Sequence, residues 1–179
     1  MKAANKAQCG FVFISGSVYR RIPLFQYRIP CEIFLRTLDA YRRKYGFLVH
    51  AYALMPDHYH ILLWFPPHHR LVNFLRDFKS LVGRQILKWM RKERLSRVLA
   101  RFEMKRVPRR QKDARYCVLQ YNNYVKGLQG SQALWQKVNY IHFNPVERGL
   151  VLAAEAYPYS SARSYAGKGL SPVKIDLLK

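Results

Sequence analysis

The hydrophobic positions of the chain recur with two different spacings, one typical of strands and one typical of helices. Apolar, β-branched and aromatic residues alternate or run together in four stretches, and such runs predict strands. Three other stretches repeat an apolar residue every three or four positions, which predicts amphipathic helices. The predicted strands lie at 11–19, 47–54, 58–65 and about 116–125, and the predicted helices lie at about 30–45, 71–93 and 131–144.

The order of these elements predicts the fold. Strand, helix, strand, strand, helix and strand follow one another, which is the split βαβ order of ferredoxin-like folds. We therefore predict an α+β ferredoxin-like domain, with an antiparallel sheet and two helices on one face. The helix at 131–144 would then cover the other face. A chain of 179 residues is long enough for a single domain, 1–179, with a basic insertion or arm at about 94–115.

Two histidines open the strand at 58–65. The turn Met55-Pro56-Asp57 leads directly into this strand, and successive strand side chains point to opposite faces. His58 and His60 therefore share one face, while apolar side chains occupy the other. Two neutral imidazoles side by side on a rigid strand can hold one metal ion. Two half-buried polar residues at a strand end would have the same spacing, so this motif alone leaves both interpretations open.

The helix at 131–144 carries two separate stripes. Ser131 is expected to cap its amino terminus, and Pro145 is expected to end it, because proline disfavours helical backbone in the preceding residue. The apolar stripe consists of Leu134, Val138 and Ile141. The polar stripe, at a spacing of four, consists of Gln136, Tyr140 and Asn144. If this helix covers the sheet, its polar stripe lies over the two histidines.

The charge of the chain indicates a polyanionic partner. Lys and Arg number 32 against 10 Asp and Glu, which gives a formal net charge of +22. Such a charge works against compactness unless a polyanion neutralises it, and nucleic acid rewards clustered cations through phosphate contacts. An anionic membrane surface is the alternative. We expect no membrane association, however, because the sequence shows neither an apolar run of transmembrane length nor a signal peptide.

The cysteines suggest a reducing compartment. Cys9, Cys31 and Cys117 are odd in number and widely spaced, and none belongs to a C-x-x-C motif. This pattern predicts neither a disulfide framework nor a zinc site. Free thiols fit a cytoplasmic protein, and the charge suggests one that associates with the nucleoid.

The strongest concentration of positive charge lies at 84–115. This segment contains thirteen Lys and Arg residues but only three acidic residues, and aromatic residues are interleaved with the cations. A solvated charged surface would have the same composition, but aromatic platforms among cations favour an arm that grips a nucleic acid backbone. The predicted nucleic-acid-binding residues are Arg84, Lys88, Arg91, Lys105, Arg106, Arg109, Arg110, Lys112 and Arg115.

Three stretches give the chain a family resemblance. Residues 54–60, Leu-Met-Pro-Asp-His-Tyr-His, resemble the histidine–hydrophobic–histidine motif of the single-tyrosine HUH transposases. Residues 140–151, Tyr-Ile-His-Phe-Asn-Pro-Val-Glu-Arg-Gly-Leu-Val, followed by Tyr-Pro-Tyr-Ser-Ser at 157–161, resemble the C-terminal signature of that family, and especially of its REP-associated tyrosine transposases. Residues 18–25 resemble the family's first strand and loop. The resemblance covers most of the chain in the expected order.

The resemblance implies a mechanism and roles for particular residues. In that family, a tyrosine on a helix attacks a phosphate of single-stranded DNA and leaves a 5′-phosphotyrosine link with a free 3′-OH. Tyr140 matches the nucleophile, and His58, His60 and Asn144 match the ligands of Mg²⁺ or Mn²⁺. Imidazole ligands favour Mn²⁺ over Mg²⁺. Asp57, where relatives often have Asn, is expected to make the turn, and it stands close enough to assist the metal.

The function that the resemblance implies is that of a metal-dependent DNA strand transferase, which would act on single-stranded DNA near a hairpin, as a monomer or a homodimer. A non-catalytic nucleic-acid-binding module on the same fold is the alternative, although the presence of His58, His60 and Tyr140 together speaks against it. A metal-dependent hydrolase without a covalent step would need a base that activates water. With ten carboxylates in the chain and only Asp57 near the motif, the sequence offers little for that role.

Overall fold

The computed structural model of the protein describes residues 10–104, 115–169 and 171–178. The strands in these ranges are β1 (Gly10–Val18), β2 (Leu48–Met55), β3 (His58–Phe65) and β4 (Leu119–Gly127). The α-helices are α1 (Arg28–Tyr45), α2 (Leu71–Lys92), α3 (Ser96–Ala100), α4 (Ser131–Glu147) and α5 (Ala162–Tyr165). None of these helices combines the length and apolar character that a membrane span requires.

The four strands form one sheet in the order β2-β3-β1-β4. Every neighbouring pair is antiparallel, and a tight hairpin joins β2 to β3. The first and last strands of the chain lie side by side, which is the strand arrangement of the split βαβ motif. The predicted ferredoxin-like α+β fold is therefore confirmed.

The helices α1 and α2 cover one face of this sheet and build the main core. Phe34 of α1 packs between Tyr59 of β3 and Phe78 of α2, with ring centroids 4.8 Å and 5.0 Å away. Helix α1 ends where the sequence predicts, because Gly46 adopts a left-handed conformation with φ of +66° that favours glycine. This layer leaves the opposite face of the sheet to α4.

Helix α4 lies on that second face. Its buried apolar side chains, Leu134, Val138 and Ile141, form one cluster with residues of the sheet: Phe13, Ala51, Ala53 and Leu62. Two of these sheet residues are alanines, and their small side chains let the helix approach β2 closely. The predicted position of this helix over the open face is correct.

Both ends of α4 differ from the prediction. Gly130 occupies the cap position, and Ser131 is already helical without a capping hydrogen bond from a side chain. The helix also continues through Pro145 to Glu147. Proline removes only its own donated bond, and the Asn144 carbonyl still accepts the backbone N–H of Arg148 at 3.1 Å. The last turn therefore survives.

The fourth strand starts later than predicted. The chain at 115–117 pairs instead with the chain at 102–104, through an isolated bridge between Glu103 and Tyr116. Strand β4 begins only at Leu119, where the backbone turns to pair with β1. The local alternation of the sequence does not distinguish these two partners.

The segment at 157–161 runs along the outer edge of β2. The backbone N–H of Leu54 donates to the Tyr159 carbonyl, and that of Ser161 donates to the Tyr52 carbonyl. The His142 side chain of α4 reaches the same segment, with Nε2 located 2.8 Å from the Ser161 hydroxyl. This segment therefore covers an edge strand and fixes α4 to the sheet.

Candidate active site

His58 and His60 emerge from β3 on the face that α4 covers. Their ring centroids lie 4.8 Å apart, and the ring planes are inclined at 79°. Both side chains are buried, whereas Tyr59, between them, points into the core on the other face. The structure therefore brings the two imidazoles together as the strand period predicts.

Asp57 orients the first of these histidines. His58 Nδ1 donates a hydrogen bond of 2.6 Å to the Asp57 carboxylate. Because a carboxylate only accepts, the proton resides on Nδ1 and the lone pair of Nε2 remains available. The Arg21 guanidinium lies 3.4 Å from the same carboxylate. Burial raises the pKa of Asp57, but the hydrogen bond and charge of His58, together with Arg21, outweigh burial and hold that pKa below its usual value.

His60 is the most isolated polar group of the site. Only 4% of the residue is exposed, its ring stacks on Phe13 at 5.6 Å, and neither ring nitrogen has a hydrogen-bond partner among the described residues. Burial is the main cause that lowers the pKa of His60 to about 3, and the neighbouring His58, Lys137, Arg148 and Arg21 contribute in the same direction. The ring is therefore neutral at pH 7, the form that binds metals.

Tyr140, which belongs to α4, lies beside His60 of β3. The two ring centroids are 5.3 Å apart, and the tyrosine ring also meets Phe13 edge-on at 6.1 Å. Tyr140 is 40% exposed, so its phenol is accessible from solvent next to a buried imidazole.

Asn144 lies one helical turn beyond Tyr140. It is buried, and its Oδ1 has no hydrogen-bond partner among the described residues. One turn further on, Arg148 is close enough to lower the pKa of both His58 and His60. Because positions 140, 144 and 148 share one face of the helix, Asn144 lies between Tyr140 and Arg148 and faces the histidine pair.

These side chains fit a divalent cation. The donors are the Nε2 atom of His58, a ring nitrogen of His60 and the amide oxygen of Asn144, and the last two residues have buried polar atoms without partners. Such orphaned atoms are costly unless a ligand satisfies them. Among the described residues, no group of three or more His, Cys, Asp or Glu side chains could hold a metal ion by itself.

The buried histidines predict a fold that loses stability as the pH falls. Burial lowers the pKa of His60 to about 3 and that of His142 to about 4, whereas an unfolded chain titrates near 6.5. Between about pH 6.5 and pH 4, the unfolded chain binds protons that the folded chain does not. Stability should therefore fall as pH falls, by about 1.4 kcal/mol per pH unit for each such histidine.

Urea unfolding at pH 7, 6 and 5 measures this dependence. The variant His142→Gln removes one of the two histidines whose pKa is strongly lowered. The slope of unfolding free energy against pH should therefore decrease by about 1.4 kcal/mol per pH unit. A stability that is constant or rises between pH 7 and pH 5 contradicts the prediction.

Four of the nine predicted nucleic-acid-binding residues are described by the structure, and they lie on the side of the sheet that α2 covers, away from the histidine pair. Arg84, Lys88 and Arg91 are exposed on α2, and the Arg91 guanidinium lies over the Tyr116 ring at 5.7 Å. The Arg115 guanidinium lies over the same ring at 5.5 Å from its centroid and pairs with Glu103 at 2.8 Å. The structure does not bring these residues to the histidine pair. The remaining predicted residues, Lys105, Arg106, Arg109, Arg110 and Lys112, lie outside the described residues.

Three cations near the histidines were not predicted as site residues. Arg21, Lys137 and Arg148 each lower the pKa of His60, so they surround it with positive charge. The helical spacing of three and eight residues from Tyr140 could have identified Lys137 and Arg148. No sequence signal indicates Arg21, which the chain brings to Asp57 through a turn in which Arg20 and Arg21 both have positive φ.

The family model for IS200-like transposases matches residues 8–101. A solved structure of a REP-associated tyrosine transposase bound to a REP hairpin superposes with a TM-score of 0.66 at 17% identity, covering 100% of this chain and 94% of that one.

A second solved structure, of a candidate transposase from Deinococcus radiodurans R1, has a TM-score of 0.48 at 14% identity, covering 79% of this chain and 95% of that one. A search of the curated proteins found no match. The first structural likeness supports the fold, and the family model covers more than half of the chain.

Proposed function

The chain belongs to the IS200-like transposase family, and from this premise we propose that it is a single-tyrosine DNA strand transferase. It would cleave and rejoin single-stranded DNA through a 5′-phosphotyrosine intermediate, with Mg²⁺ or Mn²⁺ as its cofactor. The observation that carries the proposal is the contact between Tyr140 and His60. An accessible phenol lies 5.3 Å, ring to ring, from a buried imidazole whose nitrogens have no partner.

Tyr140 would act as the nucleophile. Its phenol oxygen attacks the scissile phosphorus, a bond forms between that oxygen and phosphorus, and the bond from phosphorus to the 3′ oxygen breaks. The phenol proton passes to water, and the departing 3′ oxygen takes a proton from water. Because one phosphate ester replaces another, little free energy is lost, and a 3′-OH can reverse the step on the same or another strand. This reversibility makes a strand transferase rather than a nuclease.

His58, His60 and Asn144 would hold the cation. When bound, Mg²⁺ or Mn²⁺ supplies Lewis-acid polarisation of the scissile phosphate. All three donors are neutral, and the Asp57 carboxylate beside His58 is offset by the positive charges of Arg21, Lys137 and Arg148, so the site alone attracts a dication weakly. A DNA phosphate would supply the missing negative charge, and we expect metal and DNA to bind cooperatively.

The preferred DNA would be single-stranded and contain a hairpin. The neighbouring solved structure is a complex with a REP hairpin, and the present chain has the same fold with a net charge of +22. We propose that the basic segment at 94–115 contributes to DNA binding as an arm of the single domain. A homodimer is compatible with this site, in which Tyr140 already meets His60 within one chain.

The test is covalent capture. The protein is incubated with a labelled single-stranded hairpin oligonucleotide library and Mn²⁺ or Mg²⁺, then denatured and separated. We expect an adduct that resists denaturation, disappears when EDTA removes the metal, and maps by peptide mass spectrometry to Tyr140. Tight, salt-sensitive binding without any adduct across the library would overturn the proposal and favour a binding module.

A further inference from the structure

The residue one turn before Tyr140 has no role in the chemistry described so far. Lys137 extends from α4 towards the sheet, and its Nζ lies 4.4 Å from the ring centroid of Tyr140 and 4.4 Å from that of Phe13. The Phe13 ring in turn stacks on His60. The ammonium group, the nucleophile and a predicted metal ligand therefore form one continuous cluster.

We propose that Lys137 is a further catalytic residue, whose ammonium group binds the non-bridging oxygens of the scissile phosphate and stabilises the negative charge of the transition state. This inference rests on the proposed function. The phosphodiester carries one negative charge, and attack by the phenol oxygen adds a second as the pentacoordinate phosphorus forms. A fixed cation beside the attacking oxygen gains most when that charge is greatest, so it lowers the barrier rather than only binding substrate.

The ammonium group is held in place before any DNA arrives. Two aromatic rings attract it through their faces, and such contacts are strongest when the cation is partly removed from water. Burial lowers the pKa of Lys137, and the positive charge of Lys126 on β4 adds to this effect. Among the described residues, no carboxylate lies within ion-pair distance of Lys137. A phosphate of the bound DNA would therefore supply a counterion to this partly desolvated ammonium group.

Arg21 and Arg148 share the site but differ from Lys137. Arg21 already pairs with the Asp57 carboxylate at 3.4 Å. Arg148 lies two helical turns beyond Tyr140, at the carboxyl end of α4. Of the three cations, Lys137 is the one that the structure places on the ring of the nucleophile.

The inference is tested by removing the charge of Lys137 and the charge of the scissile phosphate, first one and then the other. The probe is a hairpin oligonucleotide on which the wild-type protein forms its adduct, made with either a phosphodiester or a methylphosphonate at the scissile position. A methylphosphonate is neutral in the ground state and carries one negative charge fewer than the phosphodiester in the transition state. We expect Lys137→Met to slow single-turnover adduct formation by about 100-fold on the phosphodiester, and by about 10-fold or less on the methylphosphonate.

Two control variants separate this role from a general loss of charge or structure. Lys126→Met removes a neighbouring cation that does not touch the Tyr140 ring, and it should slow the reaction by less than about 3-fold. Lys137→Arg keeps the charge and should restore most of the rate. The thermal unfolding midpoint of each variant is compared with that of the wild-type protein.

The same comparison is made by equilibrium binding in a Tyr140→Phe background, where no reaction is needed. There, Lys137→Met should weaken binding of the phosphodiester more than binding of the methylphosphonate. Equal penalties on both probes in both assays, or no penalty at all, would overturn the inference while leaving the adduct of the wild-type protein intact. Absence of the wild-type adduct would instead overturn the proposed function, and this inference with it.

Discussion

Replacing Tyr140 by phenylalanine is expected to abolish the covalent DNA adduct, with a loss of more than about 1,000-fold in its rate of formation. The substitution removes one oxygen atom and leaves the ring. The ring contacts with His60 at 5.3 Å and Phe13 at 6.1 Å should therefore persist. Because Tyr140 is partly exposed, no buried hydrogen bond is lost, and stability should change by less than about 1 kcal/mol.

The measurement is denaturing electrophoresis of the protein with labelled hairpin DNA and Mn²⁺, beside a binding assay of the same sample. Tyr124→Phe is the matched control. Tyr124, on β4, is also exposed, and its ring centroid lies 6.2 Å from that of Phe13. We expect that variant to retain the adduct, and both variants to bind DNA. An undiminished adduct in Tyr140→Phe means that another side chain is the nucleophile.

Replacing Gly16 by alanine is expected to destabilise the protein by about 3 kcal/mol or more. The side chain of Tyr59 crosses Gly16, and a methyl group there would overlap the Tyr59 ring and lie 2.7 Å from Asn123 Oδ1. Tyr59 is buried and donates a hydrogen bond of 3.1 Å to that asparagine, so neither side chain can yield without loss. Glycine at this position is required by close approach of the two side chains.

The same substitution should disturb the candidate site. Tyr59 lies between His58 and His60 on β3, so a displaced Tyr59 moves the strand that carries both imidazoles. We therefore expect Gly16→Ala to weaken DNA-dependent Mn²⁺ binding as well as stability. Urea unfolding and metal titration in the presence of a hairpin oligonucleotide measure the two effects.

Gly127→Ala provides the matched control. Gly127 ends β4 in the same sheet, and nothing lies within 4 Å of the position that its methyl group would take. We expect its stability to change by less than about 1 kcal/mol, in the stabilising direction, because alanine restricts the unfolded chain. Equal effects of the two substitutions would show that close approach at Gly16 does not limit stability.

Local periodicity was sufficient for much of the fold. The bounds of β3 agree with the predicted strand at 58–65, and both histidines lie on the face that alternation indicates. The spacing of Leu134, Val138 and Ile141 likewise predicted the buried side of α4. Such features depend only on the period of the backbone, which the sequence reports directly.

Predictions of element ends were less accurate where two local rules compete. Pro145 marks a helix end in most contexts, yet α4 continues to Glu147 because only one backbone bond is lost near its terminus. The fourth strand begins at Leu119 because residues 115–117 find a different partner. In both cases the end of the element depends on which backbone groups are available as hydrogen-bond partners nearby, and the local sequence does not indicate which these are.

The sequence by itself determined the order of elements, and with it the fold class, together with the His58, His60, Tyr140 and Asn144 positions as candidates. Only the tertiary structure decided that Tyr140 and His60, eighty residues apart, meet in one site. It also decided that Asp57 holds His58 and that Lys137 lies on the Tyr140 ring. The physical reason is that the contact of Tyr140 with His60, like that of Lys137 with Phe13, arises when α4 packs on Ala51 and Ala53, an association between distant segments that no local spacing encodes.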